Sequence, residues 1–276
     1  MTLVNRIRSL FKDDVVSTAS NNAAAQFRNM IRAVTLSQQS GSVNSENQVF
    51  SYSKIKVIIP ALNEKENIYN MINQLRQIGF CEILVVDGHS KDGTAECAQN
   101  LGAKVMVQNG NGKGSALREA FKECLDSDVV VMMDADGSMS PEELPSFIDA
   151  INSGADVVKG SRFLPPGKSD DFTLTRRAGN KVMTKFANFL FLTQYTDMCY
   201  GYMAFNRKAL LQLIPCLNGQ KFEIETEICV KAKILGLRVM EVPSHERLRR
   251  FGSSNLHAFK DGFSILKVLI KEALLS

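Results

Sequence analysis

Residues 129–137 read VVVMMDADG, in which five apolar residues run directly into two aspartates, Asp134 and Asp136. Apolar runs of this length that are rich in valine are typical of strands buried in a parallel sheet. On a continuing strand the two carboxylates point to the same side, and burying both is unfavourable unless a cation neutralises them. Hard oxygen ligands suit Mg²⁺ or Mn²⁺. The stretch therefore predicts a metal site at a strand end, although Asp-x-Asp alone is also common in solvated turns.

Similar β-rich apolar runs alternate with helical patterns from residue 54 onwards. The predicted strands are 56–59, 82–86, 104–107, 129–133, 156–159 and 238–242, and the predicted helices are 64–78, 93–101, 114–125 and 141–153. This alternation predicts an α/β fold with a mainly parallel, Rossmann-like central sheet flanked by helices, followed by a less regular half. In such sheets ligands lie beyond the carboxyl ends of the strands, so the residues after each strand are the candidates for chemistry.

The composition is that of an ordinary globular protein, with 276 residues, 45% hydrophobic residues and a net charge of +4. This charge is too small to indicate nucleic-acid binding, and we expect no such partner. The six cysteines include no CxxC pair, and the chain has neither an apolar leader nor 18 consecutive apolar residues. We therefore expect a cytoplasmic location, with the cytoplasmic membrane face as a peripheral alternative.

The two ends of the chain differ from its middle. Residues 1–50 are interpreted as a short basic amphipathic helix followed by a flexible linker, with packing on its own domain or a partner as the alternative. Residues 54–258 form the predicted α/β domain. Residues 259–276 are predicted to form an amphipathic helix with interleaved lysines, which could cover the core or meet an anionic membrane surface. Homo-oligomer formation is left open.

Polar residues follow the other predicted strands as well. Pro60, Leu62 and Glu64 follow the first strand, Asp87 ends the second, and Lys113 lies in a glycine-rich turn that opens a helix. Backbone amides and a lysine in such a turn can contact phosphate, and a strand-end carboxylate can accept hydrogen bonds from a base or ribose. Each residue alone is also compatible with a helix cap or a turn. The spacing matches neither a Walker A loop nor GxGxxG.

Arginines are concentrated in the second half of the chain. Arg162 follows the strand at 156–159, Arg176 begins a helical stretch, and Arg249 and Arg250 lie near the end of the domain. The planar guanidinium group suits phosphate oxygens, so these residues are candidates for binding a phosphate. A solvated basic face is the alternative.

Several motifs resemble, in their order, those of glycosyltransferase family 2, and within it the polyprenyl-phosphate (dolichyl-phosphate) mannosyl- or glucosyltransferases. The motifs are IIPALNE at 58–64, VVDGHSKDGT at 85–94, MDADG at 133–137, GSRF at 160–163, TD at 196–197 with GYMAF at 201–205, and FEIETE at 222–227. The resemblance covers residues 54–258.

The resemblance implies a GT-A fold with an acceptor-binding second half, a UDP- or GDP-linked sugar donor and Mg²⁺ or Mn²⁺. By position it implies nucleotide-sugar contacts from Pro60, Leu62, Glu64, Asp87, Lys113, Asp134 and Ala135, metal contacts from Asp134 and Asp136, and acceptor-phosphate contacts from Arg162, Arg176, Arg249 and Arg250. The sequence departs from the family pattern at Gly88, where a second Asp is usual, and at Ser138, where many relatives have Gln. His245 is then a candidate further metal ligand, as in glucosyl-3-phosphoglycerate synthases, or a structural histidine.

Two acceptor classes remain open. A polyprenyl phosphate is already an anion and needs little deprotonation, whereas the hydroxyl of a small molecule or saccharide needs a base, for which Glu225 and Glu227 are candidates. The second class would make the chain a soluble enzyme similar to glucosyl-3-phosphoglycerate synthase. In either case we expect Asp136 and Arg162 to take part in catalysis. The intact motifs disfavour an inactive sugar-nucleotide binder. A nucleotidyltransferase is disfavoured because the glycine-rich signature expected after its first strand is replaced here by PALNE at 60–64.

Overall fold

The computed structural model describes residues 54–252 and 258–275. The predicted basic helix and linker at residues 1–50 lie outside the described residues.

A seven-stranded sheet forms the centre of the molecule, in the order β3-β2-β1-β4-β7-β5-β8. The strands are β1 Ile55–Ala61, β2 Glu82–Asp87, β3 Lys104–Val107, β4 Val129–Met132, β5 Val157–Ser161, β6 Lys168–Ser169, β7 Met203–Asn206, β8 Val239–Pro243 and β9 His245–Glu246. All strands of the large sheet are parallel except β7, which runs antiparallel to both of its neighbours. β6 and β9 form a separate parallel pair.

Helices cover both faces of this sheet. They are α1 Lys65–Gln77, α2 Thr94–Asn100, α3 Lys113–Lys122, α4 Leu144–Asn152, α5 Leu174–Phe191, α6 Arg207–Leu213, α7 Glu223–Ile234 and α8 Ala258–Leu275. Short 3₁₀ turns, Pro141–Glu143 and Ile214–Cys216, precede α4 and follow α6.

Side chains of the strands alternate between two cores, as the period of a strand requires. Val57 and Val131 pack with α1 on one face of the sheet, while Ile58 and Val130 pack with α3 and α7 on the other. The buried residues of α1 recur at helical spacing, namely Ile68, Met71, Ile72 and Leu75. Burying each such side chain contributes roughly 1.5–3 kcal/mol, so the cores hold the strand ends rigidly in place.

The direction of the strands brings several loops to one edge. The carboxyl ends of β1, β2, β4 and β5 meet there, and Ala61 lies beside Asp87 in the β1–β2 register. Because β7 is antiparallel, its first residue Met203 pairs with Met132 at the end of β4 and with Lys159 in β5. The residues just before β7 therefore reach the same edge as the ends of the parallel strands.

The predicted α/β architecture with a mainly parallel sheet and flanking helices is confirmed. Each predicted strand is present within two residues at either end, and the four predicted helices are present as α1 to α4. The short strands β6, β7 and β9 were not predicted.

Candidate active site

A cavity of about 970 Å³ opens at the carboxyl edge of the sheet. Its β4 end is lined by Glu64, Lys113, Asp134, Asp136, Glu225 and Arg249, with Pro60, Leu62 and Ala135 beside them. Its α5 end is lined by Arg162, Asp171, Arg176, Asn180 and Glu246. The cavity thus joins most of the residues that the sequence singled out after separate strands.

Two loops interlock at the rim of the β4 end. The amide of Gly88 donates to the Ala61 carbonyl at 2.8 Å, and the amide of Asn63 donates to Ser90 Oγ at 2.8 Å. In return Lys91 N–H donates to Asn63 Oδ1 at 2.8 Å. These bonds satisfy backbone groups that leave the sheet, so the loops form a fixed wall rather than independent turns.

Asp87 lies behind this wall and is only 3% exposed. Its Oδ2 accepts from the amide of Ser90 at 3.0 Å, while Oδ1 has no hydrogen-bond partner among the described residues. A buried oxygen without a hydrogen-bond donor is unfavourable. Asp87 therefore has an acceptor oxygen available for a ligand, next to Gly88, which lines the cavity.

Lys113, at the start of α3, is held between two carboxylates. Its Nζ pairs with Asp134 Oδ1 beyond the end of β4, and lies 2.5 Å from Glu225 Oε1 in the first turn of α7. The three side chains come from different parts of the fold, and the sequence alone did not predict that Lys113, Asp134 and Glu225 would be in contact. The side chains of Lys113 and Glu225 are largely buried, so the interaction is weakly screened.

Burial and charge act against each other in this trio. Burial tends to lower the pKa of Lys113, but the charges of Asp134 and Glu225 outweigh it and the pKa is raised. Burial raises the pKa of Glu225, with a further rise from Asp134, against the opposing effect of Lys113. Lys113 is therefore a permanent cation at this end of the cavity.

The backbone of Gly201, in the turn before β7, packs directly against the trio. A Cβ added there would lie 2.7 Å from both Glu225 Oε1 and Lys113 Nζ. Glycine at this position is thus explained by close approach and not by an unusual backbone conformation.

Asp136 belongs to a second network at the β4 end. Its Oδ1 accepts from the amide of Ser138 at 3.0 Å, and its Oδ2 lies 3.5 Å from Arg249 Nη2. Arg249 Nη1 also donates to Glu64 Oε1 at 2.7 Å. Burial raises the pKa of Glu64 in spite of hydrogen bonds from Asn67 and Arg249.

The donor set at the β4 end fits a hard divalent cation. Four carboxylates share two cations in these networks, which leaves an excess of negative charge; the carboxylates are Glu64, Asp134, Asp136 and Glu225, and the cations are Lys113 and Arg249. Mg²⁺ is often bound by one or two carboxylates, with substrate oxygens and water completing its coordination. Within residues 54–252 and 258–275, no three acidic, histidine or cysteine side chains form a metal-binding group by themselves.

His245 was predicted as a further metal ligand, but the structure does not bring it to the two aspartates in such a group. Its Nε2 lies 2.6 Å from Asp170 Oδ2, and its amide donates to Glu143 Oε1 at 2.9 Å. These contacts hold it on β9, and it is absent from the cavity lining. In this structure His245 therefore contacts Asp170 and Glu143 rather than the two aspartates.

Arg162, beyond the end of β5, was expected to bind a phosphate. Its guanidinium donates to both oxygens of Asp197, at 2.7 and 3.0 Å, and to Glu246 at 3.0 Å. The group also lies between the rings of Phe172 and Tyr200, 4.5 and 4.6 Å from their centroids. Burial raises the pKa of Asp197, but the charge and hydrogen bonds of Arg162 lower it by more, so the net direction is downward. Arg162 therefore organises the α5 end with its own donors already engaged.

Arg176 is the more accessible arginine of the α5 end, and it pairs with Asp171 at 2.5 Å. Both side chains are partly exposed to solvent, so a stronger anion can compete for the guanidinium. Arg250 was also predicted to bind the acceptor phosphate. Its side chain is exposed, lies beside Gly137 and does not line the large cavity.

Glu227 does not line the cavity either. Its carboxylate accepts from the amides of Asn218 and Gly219, at 3.0 and 2.7 Å. Burial raises its pKa, and these two amides oppose the rise. Of the two glutamates proposed as a base, only Glu225 reaches the cavity, whereas Glu227 holds the loop before α7.

Lys159 is a residue of the site that sequence reasoning missed. It is completely buried in β5, on the Val157 face, and its Nζ donates to the carbonyl of Tyr200 at 2.5 Å. Its charge lowers the pKa of Glu225 as a minor contribution. The signal that could have found it is a lysine at an inward position of an otherwise apolar strand.

The chain matches the model of the family described as "Glycosyl transferase family 2" over residues 56–214. The chain belongs to this family. A family 2 relative, the glycosyltransferase AglJ of Haloferax volcanii, is 36% identical over 220 residues, which are 79% of this chain and 71% of that protein. The polyprenol monophosphomannose synthase of Mycolicibacterium smegmatis is 31% identical over 228 residues, 79% of this chain and 84% of that one.

Solved structures with this fold include the glucosyl-3-phosphoglycerate synthase of Mycobacterium tuberculosis in complex with Mn²⁺, UDP and glucosyl-3-phosphoglycerate. The match has a TM-score of 0.63 at 20% identity and covers 82% of this chain and 85% of that one. At this identity the likeness establishes the GT-A fold of this family 2 glycosyltransferase. Among the described helices, none is long and apolar enough to cross a membrane.

Proposed function

We propose that this family 2 glycosyltransferase transfers a hexose from a UDP- or GDP-linked donor to a polyprenyl-phosphate acceptor, with Mg²⁺ or Mn²⁺ as cofactor. The single observation that carries the proposal is the continuous cavity, whose β4 end is rich in carboxylates and whose α5 end contains Arg162 and Arg176. A transferase must hold two substrates in one place, and the two ends differ in chemistry as two different substrates require.

The donor is assigned to the β4 end. Pro60, Leu62 and Ala135 line the nucleotide portion of the cavity, and the unused oxygen of Asp87 is suited to an N–H group of the base. Asp134 and Asp136 would hold the metal, which when bound stabilises the negative charge of the departing diphosphate.

Lys113 supplies a fixed positive charge at the same place. It lies against Asp134 and Glu225, and a diphosphate that enters the site can take over part of its hydrogen bonding. Arg249, which lies near Asp136, is the second cation of the β4 end and is assigned to the diphosphate as well. Arg250 is exposed and is assigned only a minor role, the attraction of anionic substrates to the cavity.

The acceptor is assigned to the α5 end. Arg176 can exchange Asp171 for an acceptor phosphate, while Arg162 fixes the walls through Asp197 and Glu246. A phosphate acceptor is already ionised, so the reaction needs no strong base, and Glu225 would orient Lys113 or the acceptor rather than remove a proton.

A lipid acceptor must be met at a membrane surface. The helix α8 has exposed lysines at 260, 267 and 271 and an exposed Phe263. Basic and apolar side chains on one helix favour weak, salt-sensitive attachment to anionic lipid.

The test is a transfer assay with two acceptors in parallel. The protein is supplied with Mn²⁺ and a panel of UDP- and GDP-hexoses, together with either a polyprenyl monophosphate in detergent or 3-phosphoglycerate in water. We expect labelled hexose in the organic extract of the lipid reaction, and none when EDTA is in excess. Transfer to 3-phosphoglycerate alone would overturn the lipid acceptor and would make the chain an enzyme of small acceptors.

A further inference from the structure

Two glycines in helices have no structural reason to be glycine. Gly179 is in α5 and Gly262 is in α8, and neither has a positive φ. A Cβ added at either position would meet no atom of the described residues within 4 Å. Among the described glycines, these are the two that combine an ordinary backbone conformation with open space. Glycine is unfavourable in a helix compared with alanine, so neither folding nor packing accounts for them.

Both glycines line the cavity. On α5 the lining residues Thr175, Gly179 and Met183 recur every four residues, which places them on one face of the helix. On α8 the lining includes Gly262 and Leu266 at the same spacing. The two helices pack in the same core through Ala187 and Phe191 of α5 and through Ile265, Leu269 and Ala273 of α8. The space between their first halves is therefore a gap in an otherwise packed pair.

The walls of this gap are mostly apolar. Phe172, Met183, Ile265 and Leu266 line it, together with Phe263, which is 59% exposed. One end of the gap opens on the α5 end of the cavity, where Arg176 lies on the same helix face as Gly179 and Asn180. Apolar walls that extend from a site for an anion match an amphiphile with an anionic head.

We propose that this gap, the α5–α8 slot, binds the first isoprene units of the acceptor, and that Gly179 and Gly262 set its width. The inference rests on the proposed function and adds to it a binding place and two specificity-determining residues. With the phosphate at Arg176, the chain leaves the polar cavity between the helices. A side chain at either glycine would project into the path of the isoprenoid, which explains why a residue that is poor for the helix is present there.

The slot also favours the binding of an isoprenoid phosphate over that of other acceptors. A sugar or a phosphoglycerate would leave the apolar walls in water and would gain nothing from the missing side chains. An isoprenoid chain buries the exposed apolar surface of Phe263 and Leu266, and each isoprene unit adds to the binding free energy.

The experiment fills the slot with Gly179→Leu and Gly262→Leu. Ala178→Leu and Ser264→Leu are matched controls, because Ala178 and Ser264 lie on the same helices and do not line the cavity. Transfer to isoprenyl monophosphates with 5 and 15 carbon atoms is measured, together with the KM of the sugar donor and the melting temperature. Leucine favours the helix over glycine, so the variants should melt at the same temperature as the wild type or higher.

We expect the wild type to prefer the 15-carbon acceptor. Each slot variant should lose about tenfold or more in kcat/KM for that acceptor, with a smaller loss for the 5-carbon acceptor and an unchanged donor KM. If the wild type uses isoprenyl phosphates and both slot variants keep its kcat/KM and its chain-length preference, the slot is wrong and the proposed function stands. If the wild type transfers sugar only to water-soluble acceptors, the proposed function itself fails.

Discussion

Lys113 is central to the β4 end because it neutralises carboxylates that come from two different elements. Asp134 follows β4 and Glu225 lies in the first turn of α7, and both are close to its ammonium group. Without this cation, Glu225 would be buried beside Asp134 with no opposing charge, and the pKa of Glu225 would be higher still. The ammonium group thus holds carboxylates from two elements together at the edge of the cavity.

Asp136→Asn should reduce hexose transfer by about 10²-fold or more and leave the fold intact. The side chain is partly exposed to the cavity and makes few packing contacts, so its charge matters more than its volume. Transfer rates and melting temperatures of the variant and the wild type check this. Asp126→Asn is the control, since Asp126 is an exposed acid that pairs with Lys56 and does not line the cavity. Full activity of Asp136→Asn, or undiminished wild-type activity in excess EDTA, would refute the metal assignment.

Glu225→Gln and Glu227→Gln form a matched pair two positions apart on α7. Glu225 contacts Lys113 in the cavity, whereas Glu227 accepts hydrogen bonds from backbone amides of the loop before the helix. Glu225→Gln should lower kcat by about 10²-fold, because the partner of a buried cation is lost. Glu227→Gln should keep transfer within a few-fold and lower stability by about 1–3 kcal/mol. Equal losses of kcat in both variants would contradict the separate roles.

Most strands of the large sheet were accessible from the sequence, including β5 and β8 of the second half, whereas β7 and the short pair β6 and β9 were not. Alternating apolar runs and helix start signals identified β1 to β4 and α1 to α4, since each is long or strongly patterned. β7 has only four residues, Met203–Asn206, and depends on pairing with β4 and β5 rather than on its own pattern. Such tertiary pairing is invisible in one sequence.

The same distinction applies to the candidate site. Asp134 and Asp136 could be found because they directly follow a buried strand. The contact of Lys113 with Glu225 joins residues 112 positions apart, and the contact of Lys159 with the Tyr200 carbonyl joins residues 41 positions apart. Local patterns locate strand ends, whereas the pairing of charges across the edge depends on the complete topology.

Gly201→Ala tests how much the close packing of the turn before β7 contributes to stability and to transfer. The added methyl group would overlap Glu225 and Lys113, so the ion pair must move. We expect a loss of about 1–3 kcal/mol in the free energy of unfolding and at least a tenfold loss in transfer. Denaturant unfolding and initial rates measure the two effects. A variant with unchanged stability and activity would mean that the turn is not tightly held against the trio.

As a whole, the described part of the molecule offers two surfaces to its surroundings. One is the mouth of the cavity, and the other is the exposed side of α8 with lysines 260, 267 and 271. The α8 residues Lys260 and Phe263 belong to both surfaces, because they also line the cavity. A membrane that meets α8 would therefore lie next to the opening through which a lipid acceptor enters.

Association with anionic vesicles follows from this placement. The protein should sediment with vesicles that contain anionic lipid at low ionic strength and be released as salt is raised, because the lysines act through screened charges. Lys267→Glu together with Lys271→Glu should abolish sedimentation without a change in melting temperature, since both side chains are exposed. If the wild type stays in the supernatant at low ionic strength while it transfers sugar to a soluble acceptor, peripheral attachment is wrong.

The most direct measurement for the central claim, that donor and acceptor occupy the two ends of one cavity together, is a matrix of initial rates. Donor and polyprenyl monophosphate are varied independently at saturating Mn²⁺, and reciprocal rates are plotted against reciprocal donor concentration at each acceptor concentration. Simultaneous occupancy predicts lines that intersect, because transfer takes place in a ternary complex. Parallel lines, as expected when a covalent glycosyl-enzyme forms before the acceptor binds, would contradict the account.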